Sequence, residues 1–309
     1  MSQVVITEFM DEAAVREHLA GFQVVFDPQL VDQPERLRSL LGDCSALIVR
    51  NRTQVRGALL EAAPRLRVVG RLGVGLDNID VAACAARNIR VCPATGANDL
   101  AVAEYVVCAA MILLRRAWFA TAAVAAGKWP RMELIGQELA GKRLGLVGFG
   151  AIARLAAQKA LALGMTVAAY DPFVEPSNDA WHGVERLELA PLLATSDVIS
   201  LHTPLTAQTR HLIDAGAIAR MRPGSILINA ARGGVVDESA LLAALRAGQL
   251  GGAALDVFES EPLAAAAGEA WRDLQSVLLT PHIAGVTEES NIRVSGVVAR
   301  AVRDALSDR

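Results

Sequence analysis

The sequence predicts an α/β protein with two parallel-sheet domains, and three observations support this class. The chain has 309 residues, of which 53% are hydrophobic and only 4% aromatic, so it has apolar residues enough for two ordinary cores. Short apolar runs alternate with helical patterns along most of the chain. A long helical stretch, residues 99–126, separates the alternation into two series, which indicates two domains.

The first series precedes the long helical stretch. Its strand-like runs are residues 4–6, 24–26, 46–49, 67–69 and 89–91. Helical patterns such as "DEAAVREHLAG" and "TQVRGALLEAAP" separate the runs, and this alternation favours a parallel sheet. The long stretch has Asn98 as an N-cap and Gly127 just beyond its end, so we expect one rigid helix there.

The second series begins after that helix. Its strand-like strings are "RLGLVGFG", "TVAAYD", "DVISLH", "SILINA", "GAALDV" and "VLLTPH". They predict a second α/β domain. A final amphipathic helix is expected from Glu288 to Leu306, and its apolar stripe comprises Ile292, Val297, Val298, Ala301 and Val302.

Composition excludes several classes of partner. The formal net charge is -3 with acids and bases spread along the chain, so there is no basic tract for nucleic acid or an anionic membrane. The four cysteines, Cys44, Cys84, Cys92 and Cys108, match no zinc spacing and no disulfide framework. We expect buried thiols in a reducing compartment and no metal. The N-terminus lacks a signal-peptide pattern, so a cytoplasmic protein with a small-molecule partner is predicted.

A glycine-rich loop follows the first strand of the second series. Gly148, Gly150 and Ala153 form a G-x-G-x-x-G/A pattern between a strand and a helix, where backbone N–H groups can bind a pyrophosphate. Asp171, which ends the next strand 23 residues beyond Gly148, can accept hydrogen bonds from ribose hydroxyls and would repel a 2'-phosphate. The pattern favours NAD over NADP. The alternative is an ordinary turn with a solvent-facing acid.

Three candidate catalytic side chains lie at the ends of strand-like runs or in loops of the second series. Arg232 lies in "SILINAARGG", Glu261 in "ALDVFESEP" and His282 in "VLLTPHIAG". Because residues at the carboxyl ends of parallel strands meet at one edge of the sheet, the three can converge on one substrate. Taken singly, each has an alternative: a surface cation, a solvated acid and a core histidine.

These strings together resemble the D-isomer-specific 2-hydroxyacid dehydrogenases. The resemblance rests on "GRLGVGLDNID", "NAARGGVVDESALLAAL", "GAALDVFESEP" and "TPHIAG", and it extends from about Ala46 to Gly296. The strings "LIVRNRTQV" and "GKWPR" are similar to the branch that contains D-3-phosphoglycerate dehydrogenase. The resemblance implies two Rossmann-like or flavodoxin-like domains, with the cofactor domain inserted into the substrate domain. The substrate domain would comprise residues 1–98 and 283–309, and the NAD-binding domain residues 99–282.

The resemblance also implies roles for matching residues. Arg232 would bind the substrate carboxylate, since its planar fork can bond two oxygens, and His282 would exchange the proton. Glu261 would orient His282 and favour its protonated form. NAD contacts are expected at Gly148, Gly150, Ala151, Ile152, Asp171, His202, Thr203, Pro204, Ala230, Asp256 and His282. Substrate contacts are expected at Arg50, Asn51, Val74, Gly75, Arg232 and His282.

Two residues in these strings have alternative roles. The chain also departs from the family in three ways. Thr203 can instead be a turn residue, and Asp77 is more simply a helix cap than a catalytic group. Ala151 replaces an arginine that is frequent in the family, and Ala153 replaces the third glycine, so pyrophosphate binding would rely on backbone N–H groups. The chain stops 27 residues after His282, so we expect no C-terminal regulatory domain.

The substrate is expected to be a doubly anionic 2-hydroxy acid. The basic residues in the family-like strings suit a phosphate or sulfonate beside the carboxylate, although each can be an ordinary surface charge; they are Arg50, Arg52, Arg71, Lys128 and Arg131. The first candidate is 3-phosphoglycerate, followed by 3-sulfolactate and hydroxypyruvate or glyoxylate. A different class of function, an NAD-sensing corepressor, stays open.

The family resemblance implies a homodimer through the cofactor domains. The apolar string "AWFATAAVAAGKW" contains Trp118, Phe119 and Trp129 and supports an interface. The alternative is that these aromatic residues are buried within one subunit.

Overall fold

The computed structural model describes residues 3–116 and 120–308. The chain divides into two compact units, Met1–Asn98 with Val286–Arg309, and Asp99–Gly285. The second unit is therefore an insertion in the sequence of the first. The sequence placed the second boundary after residue 282, whereas the structural division falls after residue 285.

The first unit is built on a five-stranded parallel sheet in the order β2-β1-β3-β4-β5. Its strands are β1 (Gln3–Ile6), β2 (Gln23–Phe26), β3 (Cys44–Val49), β4 (Val68–Arg71) and β5 (Arg90–Pro93). Its first four helices are α1 (Glu12–His18), α2 (Pro34–Leu41), α3 (Ala58–Glu61) and α4 (Val81–Ala86). This strand order is the flavodoxin-like one, in which the chain reverses direction across the sheet between β1 and β3.

The second unit contains a seven-stranded parallel sheet in the order β12-β11-β10-β9-β6-β7-β8. Its helices are α5 (Asp99–Arg115), α6 (Thr121–Ala125), α7 (Ala151–Ala162), α8 (Leu189–Thr195), α9 (Ala215–Arg220), α10 (Glu238–Arg246) and α11 (Ala265–Gly268). Its strands are β6 (Arg143–Val147), β7 (Thr166–Tyr170), β8 (Glu185–Arg186), β9 (Val198–Leu201), β10 (Ile226–Asn229), β11 (Gly252–Leu255) and β12 (Val277–Leu279). The order is that of a doubly wound dinucleotide-binding sheet, with its switch point between β6 and β9. The predicted fold class is confirmed.

Both sheets are covered by apolar side chains on each face. In the second unit, one core includes residues of α5 and α7 such as Val106 and Ala156, and the other includes residues of α8 and α10 such as Leu192 and Leu241. The strands are buried on both sides, which explains their continuous apolar runs in the sequence. Short 3₁₀ turns lie at Leu30–Asp32, Asp179–Trp181, Gly233–Val235 and Glu269–Trp271.

The last helix, α12 (Glu288–Ser307), belongs to the first unit. It packs on β4 so closely that a Cβ on Gly70 would lie 2.7 Å from Val298 Cγ1. Val294, Val298 and Val302 are buried in this contact. The expected stripe was wrong at one position, because Ile292 is 58% exposed and Val294 takes the buried place.

Three further expectations differ from the structure. The helix expected over residues 99–126 ends at Arg115, because Arg116 has a φ of 54° in the left-handed region, and α6 is a separate helix. Asn98 precedes α5, but its Oδ1 accepts no hydrogen bond within the described ranges. Cys44, Cys84 and Cys92 are buried, but Cys108 is exposed because it lies on the outer face of α5 with Glu104 and Met111.

Trp118 and Phe119, which the sequence assigned to an interface, lie outside the described residues. Trp129 is 79% exposed, so the alternative that it is buried within one subunit is wrong. Within residues 3–116 and 120–308, no helix combines the length and apolar character needed to cross a bilayer.

Candidate active site

The glycine-rich loop joins β6 to α7 at the switch point of the second sheet. Gly148 has a φ of 91°, and a Cβ there would lie 2.8 Å from the carbonyl oxygen of His202, so glycine is required. Gly150 is the N-cap of α7 and no described side chain caps this helix. The first N–H groups of α7, which begin at Ala151 and Ile152, are therefore available to an anion.

Asp171 follows β7 and is tied to the glycine-rich loop. Its Oδ2 accepts a hydrogen bond from the backbone N–H of Phe149 at 2.7 Å, and its Oδ1 accepts one from Phe173 N–H at 2.8 Å. Each carboxylate oxygen keeps a second lone pair that can accept a ribose hydroxyl. The loop and the acid that the sequence paired thus lie side by side.

The residues after β9 form the opposite side of the switch point. His202 N–H donates to the carbonyl of Val147 at 2.7 Å, and its Nε2 lies 3.0 Å from Ser200 Oγ. Burial lowers the pKa of His202 to about 4, so the ring is neutral at neutral pH. Thr203 Oγ1 is buried with no hydrogen-bond partner among the described residues, whereas Pro204 is exposed.

These features fit a dinucleotide. The uncapped start of α7 suits the pyrophosphate, and the orphaned hydroxyl of Thr203 is a polar group that a bound ligand would satisfy. Ala230 follows β10 at the same edge of the sheet and is half-buried. The donors at this edge are backbone N–H groups and a hydroxyl, and the Asp171 carboxylate is an acceptor suited to ribose hydroxyls, so the set matches NAD.

The three candidate chemical groups come together beyond β10, β11 and β12. His282 Nδ1 lies 2.8 Å from Glu261 Oε2, and Glu261 Oε1 accepts the N–H of Phe258 at 3.0 Å. Burial raises the pKa of Glu261, but the hydrogen bond and charge of His282, with the charge of Arg232, lower it below its usual range overall. Glu261 is therefore ionised beside the imidazole.

Arg232 is positioned by a close approach of two loops. It precedes Gly233, where a Cβ would lie 1.9 Å from the carbonyl carbon of Phe258, so only glycine lets the arginine loop meet the Glu261 loop. Asn229 Nδ2 donates to the carbonyl of Arg232 at 2.9 Å and holds the turn. His282 has a φ of 56°, a left-handed backbone that is uncommon for residues other than glycine.

Asp256 is buried and makes several internal hydrogen bonds. Its carboxylate accepts Thr280 Oγ1 at 2.6 Å, Ile283 N–H at 2.8 Å and Ala284 N–H at 2.7 Å. Burial raises the pKa of Asp256, and the three hydrogen bonds oppose this rise. The carboxylate thus holds the His282 turn, a connection that the sequence did not indicate; its expected contact with nicotinamide stays a prediction.

The first unit places Arg50 and Asn51 in a loop that follows β3. The buried carboxylate of Glu8 accepts four consecutive backbone N–H groups, those of residues 50–53, at 2.9–3.3 Å. Such a nest of N–H groups fixes the loop. Glu8 was not predicted from the sequence, where its signal was an acid two residues after the apolar run of β1.

The guanidinium of Arg50 is held from two sides. Its NH2 donates to Asn291 Oδ1 at 2.8 Å, and it lies 5.6 Å from the ring centroid of Phe9. Its Nε is buried without a hydrogen-bond partner among the described residues. Burial lowers the pKa of Arg50, and the charge of Glu8 opposes this effect. Asn291 and Phe9 were not found from the sequence.

The other candidates of the first unit differ in their surroundings. Arg52 forms an ion pair with Asp32, so its charge is already partnered. Arg71 NH1 donates to the carbonyl of Leu72 at 2.7 Å, and Val74 and Gly75 lie in the loop beyond β4.

The expected capping role of Asp77 was wrong, because Asp80 caps α4 by accepting the N–H of Ala83. The acid nearest the start of the helix makes this bond, three residues beyond the position that the sequence suggested.

Two basic candidates remain in the second unit. Lys128 and Arg131 are exposed on the segment after α6, and Arg131 borders a hollow that is also lined by Val124, Trp129, Pro130 and Leu134. Across residues 3–116 and 120–308, no group of histidine, cysteine and acidic residues is arranged to hold a metal ion.

Comparison with known proteins identifies the family. Residues 107–284 match the D-isomer specific 2-hydroxyacid dehydrogenase, NAD binding domain. The chain belongs to this family. It is therefore an NAD-dependent oxidoreductase that acts on the CH–OH group of small 2-hydroxy acids. The enzymatic assignment disfavours the corepressor alternative.

The relatives of this chain include dehydrogenases named for different 2-hydroxy acids. The (S)-sulfolactate dehydrogenase of Chromohalobacter salexigens is 55% identical over 100% of both chains. The D-3-phosphoglycerate dehydrogenase of Mycobacterium bovis is 42% identical over 90% of this chain, which spans 52% of that protein. The crystal structure of D-lactate dehydrogenase from Aquifex aeolicus, complexed with NAD and lactic acid, has a TM-score of 0.85 at 29% identity and covers 98% of this chain and 95% of that one.

We expect Asp171→Ala to weaken the preference for NAD. Loss of the carboxylate removes the repulsion of a 2'-phosphate, so the ratio of kcat/KM for NADPH to that for NADH should rise about 10-fold or more. Steady-state kinetics with both cofactors measure the ratio. Asp179→Ala, an exposed acid of the same unit, is the control and should leave it unchanged. An unaltered ratio in Asp171→Ala would refute the ribose role.

Proposed function

We propose that this dehydrogenase interconverts 3-sulfolactate and its 2-oxo acid, with Arg232, Glu261 and His282 as its catalytic residues. The observation that supports these roles is the meeting of an ionised Glu261 with His282 and the charge of Arg232 at one edge of the sheet. The substrate is supported by the 55% identical (S)-sulfolactate dehydrogenase. This order reverses the first expectation, in which 3-phosphoglycerate preceded 3-sulfolactate.

Proton transfer is assigned to one atom of His282. Because Nδ1 faces Glu261, Nε2 is the nitrogen that can meet the substrate. In reduction, Nε2–H would donate its proton to the carbonyl oxygen, and in oxidation Nε2 would accept the hydroxyl proton. The ionised Glu261 stabilises the imidazolium, and the planar guanidinium of Arg232 would hold the substrate carboxylate.

NAD would be held by Gly148, Gly150, Asp171 and Thr203, and when bound it supplies or accepts the hydride. The neighbouring contacts at Ala151, Ile152, His202, Pro204 and Ala230 belong to the same proposal. A neutral His202 adds no charge next to the nicotinamide, which gains positive charge on oxidation.

Arg50 is our candidate for the second anionic group, together with the loop residues Asn51, Val74 and Gly75. Its Nε–H group has no hydrogen-bond acceptor among the described residues, while Asn291 and Phe9 hold the guanidinium plane. A sulfonate or phosphate oxygen would satisfy that donor. A second candidate substrate is 3-phosphoglycerate, which the 42% identical relative favours.

A panel of 2-oxo acids tests the substrate. We expect the kcat/KM for NADH-dependent reduction of 3-sulfopyruvate to exceed the value for 3-phosphohydroxypyruvate. It should exceed the values for hydroxypyruvate and glyoxylate by much more.

Arg50→Ala should raise the KM for 3-sulfopyruvate about 10-fold to 100-fold, because it removes a charged hydrogen bond. It should change the kinetics with glyoxylate little. Arg52→Ala is the control, because Asp32 already pairs that charge. Equal values for anionic and uncharged tails would exclude a second-anion site.

His282→Ala should lower turnover by at least ~10²-fold and leave NADH binding intact. Rates and fluorescence titration of NADH measure the two effects. Survival of turnover would exclude His282 as the acid and base.

Glu261→Gln tests the electrostatic part of the same assignment. The lowered pKa of Glu261 keeps its carboxylate charged throughout the neutral range, so its loss destabilises protonated His282. Since reduction needs the protonated form, the pH above which reduction slows should move downward. Glu259→Gln, in the same loop but paired with His211, is the matched control. An unmoved alkaline limb in Glu261→Gln would contradict the pairing.

We also propose a homodimer through the second unit. Its segment after α6 exposes an unusual group of apolar side chains, with Trp129 79%, Met132 74% and Ile135 61% exposed. Beside them lies the hollow bordered by Val124 and Leu134. Apolar patches of this kind usually mark interfaces.

A cytoplasmic location is proposed as well, because free thiols suit a reducing compartment, and cell fractionation tests it.

Sedimentation equilibrium should give about twice the chain mass of 32.6 kDa. Met132→Lys should shift the mass toward the monomer, because it places a charge in the apolar patch. Phe173→Lys is the control, since that side chain is 92% exposed on the same unit but away from the patch in sequence. A wild-type monomer would exclude the dimer.

A further inference from the structure

The backbone of His282 is held in an unusual conformation, chiefly by Asp256, with a second and longer contact from the His282 N–H to the carbonyl of Thr280 at 3.1 Å. His282 has a φ of 56°, which costs conformational energy for a residue with a Cβ. Its N–H donates to the carbonyl of Asp256 at 2.8 Å, and the next two N–H groups, of Ile283 and Ala284, donate to the Asp256 carboxylate. Three consecutive N–H groups of the turn therefore end on Asp256.

The Asp256 carboxylate is itself oriented by a chain of hydroxyl groups. Thr280 Oγ1 donates to Asp256 Oδ1 at 2.6 Å, and Tyr105 Oη lies 2.6 Å from Thr280 Oγ1. A carboxylate only accepts, so the single hydroxyl proton of Thr280 is used on Asp256. The contact with Tyr105 must then have the tyrosine as donor, and the chain runs in one direction from Tyr105 to Thr280 to Asp256.

Tyr105 anchors this chain in a rigid element. It lies on α5, whose neighbouring residues Val106 and Ala109 are buried in the core of the same unit. Burial raises the pKa of Tyr105 to about 12, so the phenol keeps its proton and stays a donor over the working pH range. Its partner Thr280 is 175 positions away in the sequence.

We propose that Tyr105 and Thr280, acting through Asp256, are positioning residues that hold His282 in its left-handed turn and so aim the imidazole at the substrate. Glu261 holds the ring at Nδ1, whereas Asp256 holds the backbone that bears the ring. Both supports are needed to set the imidazole in place, because the turn would otherwise relax toward a negative φ. This inference rests on the proposed role of His282 as acid and base.

Thr280→Val and Tyr105→Phe test the chain by changing residues that are not themselves expected to contact substrate or cofactor. We expect Thr280→Val to lower kcat by about 10-fold to 100-fold and Tyr105→Phe by about 3-fold, since small misplacements of a catalytic group cost rate. The KM for NADH and for the 2-oxo acid should stay within about 2-fold. Thr280→Ser keeps the hydroxyl and should restore kcat.

The alkaline limb of reduction provides a readout that a general loss of stability would not move. A loosened turn separates His282 from Glu261, so the limb should move to lower pH, in the direction expected for Glu261→Gln. The other charged groups near the ring in this unit, Asp256 and Arg232, are unchanged in these variants. In Thr280→Val/Glu261→Gln the two pH shifts should be less than additive, because both act on one contact.

Thr195→Val is the matched control, because this hydroxyl at the C-terminal end of α8 also makes two hydrogen bonds: it donates to the carbonyl of Pro191 and accepts from Arg143 NH1. It should leave kcat and the pH profile unchanged. Wild-type kcat and an unmoved limb in Thr280→Val and Tyr105→Phe would overturn the inference while His282→Ala is inactive. Turnover in His282→Ala would instead overturn the proposed function. If Thr280→Val does not fold, the limb of Tyr105→Phe decides.

Discussion

The common direction of the seven strands in the second unit is the constraint on which its site depends. The carboxyl ends of parallel strands lie at one edge of the sheet. The residues that follow β6, β9, β10 and β12 therefore lie near one another, although they are far apart in the sequence. Gly148 and His202 meet there through the chain reversal between β6 and β9, and Arg232 meets the Glu261 loop by the same logic. Antiparallel strands would have divided these groups between two edges.

Buried carboxylates do much of the positioning in both units. The Glu8 carboxylate accepts the N–H groups of residues 50–53. The Asp256 carboxylate accepts those of Ile283 and Ala284, while its backbone carbonyl accepts the N–H of His282. A buried charge is costly unless it is hydrogen-bonded, and a loop with several free N–H groups needs an acceptor. Each pairing answers both needs, and it leaves the side chains of Arg50 and His282 fixed on short, well-ordered turns.

Glu261 differs from these two acids in two respects. Its side chain is 33% exposed, and its partner, His282, is titratable. Its pKa is lowered because His282, the N–H of Phe258 and the charge of Arg232 together outweigh the cost of partial burial. The pair therefore combines orientation with charge stabilisation, whereas Asp256 contributes orientation through the backbone. The two supports act on different parts of one residue, His282.

Local patterns in the sequence were enough for the fold class, the glycine-rich loop and its partner Asp171, and they pointed to Arg232, Glu261 and His282. These patterns succeed because strand periodicity, tight-turn glycines and residues at strand ends are encoded over a few neighbouring positions. Local patterns failed for Cys108, Asp77 and the continuous helix over 99–126, where packing or backbone geometry at single residues decided.

Tertiary structure alone revealed Glu8, Asn291, Tyr105 and the internal hydrogen bonds of Asp256. Each acts through hydrogen bonds between residues widely separated in sequence, such as Arg50 with Asn291 at 241 positions and Tyr105 with Thr280 at 175. A single acid, amide or phenol carries no local sign of the group it will meet. Its partner is determined only when the sheet brings distant loops to one edge, because hydrogen bonds depend on distance and direction rather than on sequence order.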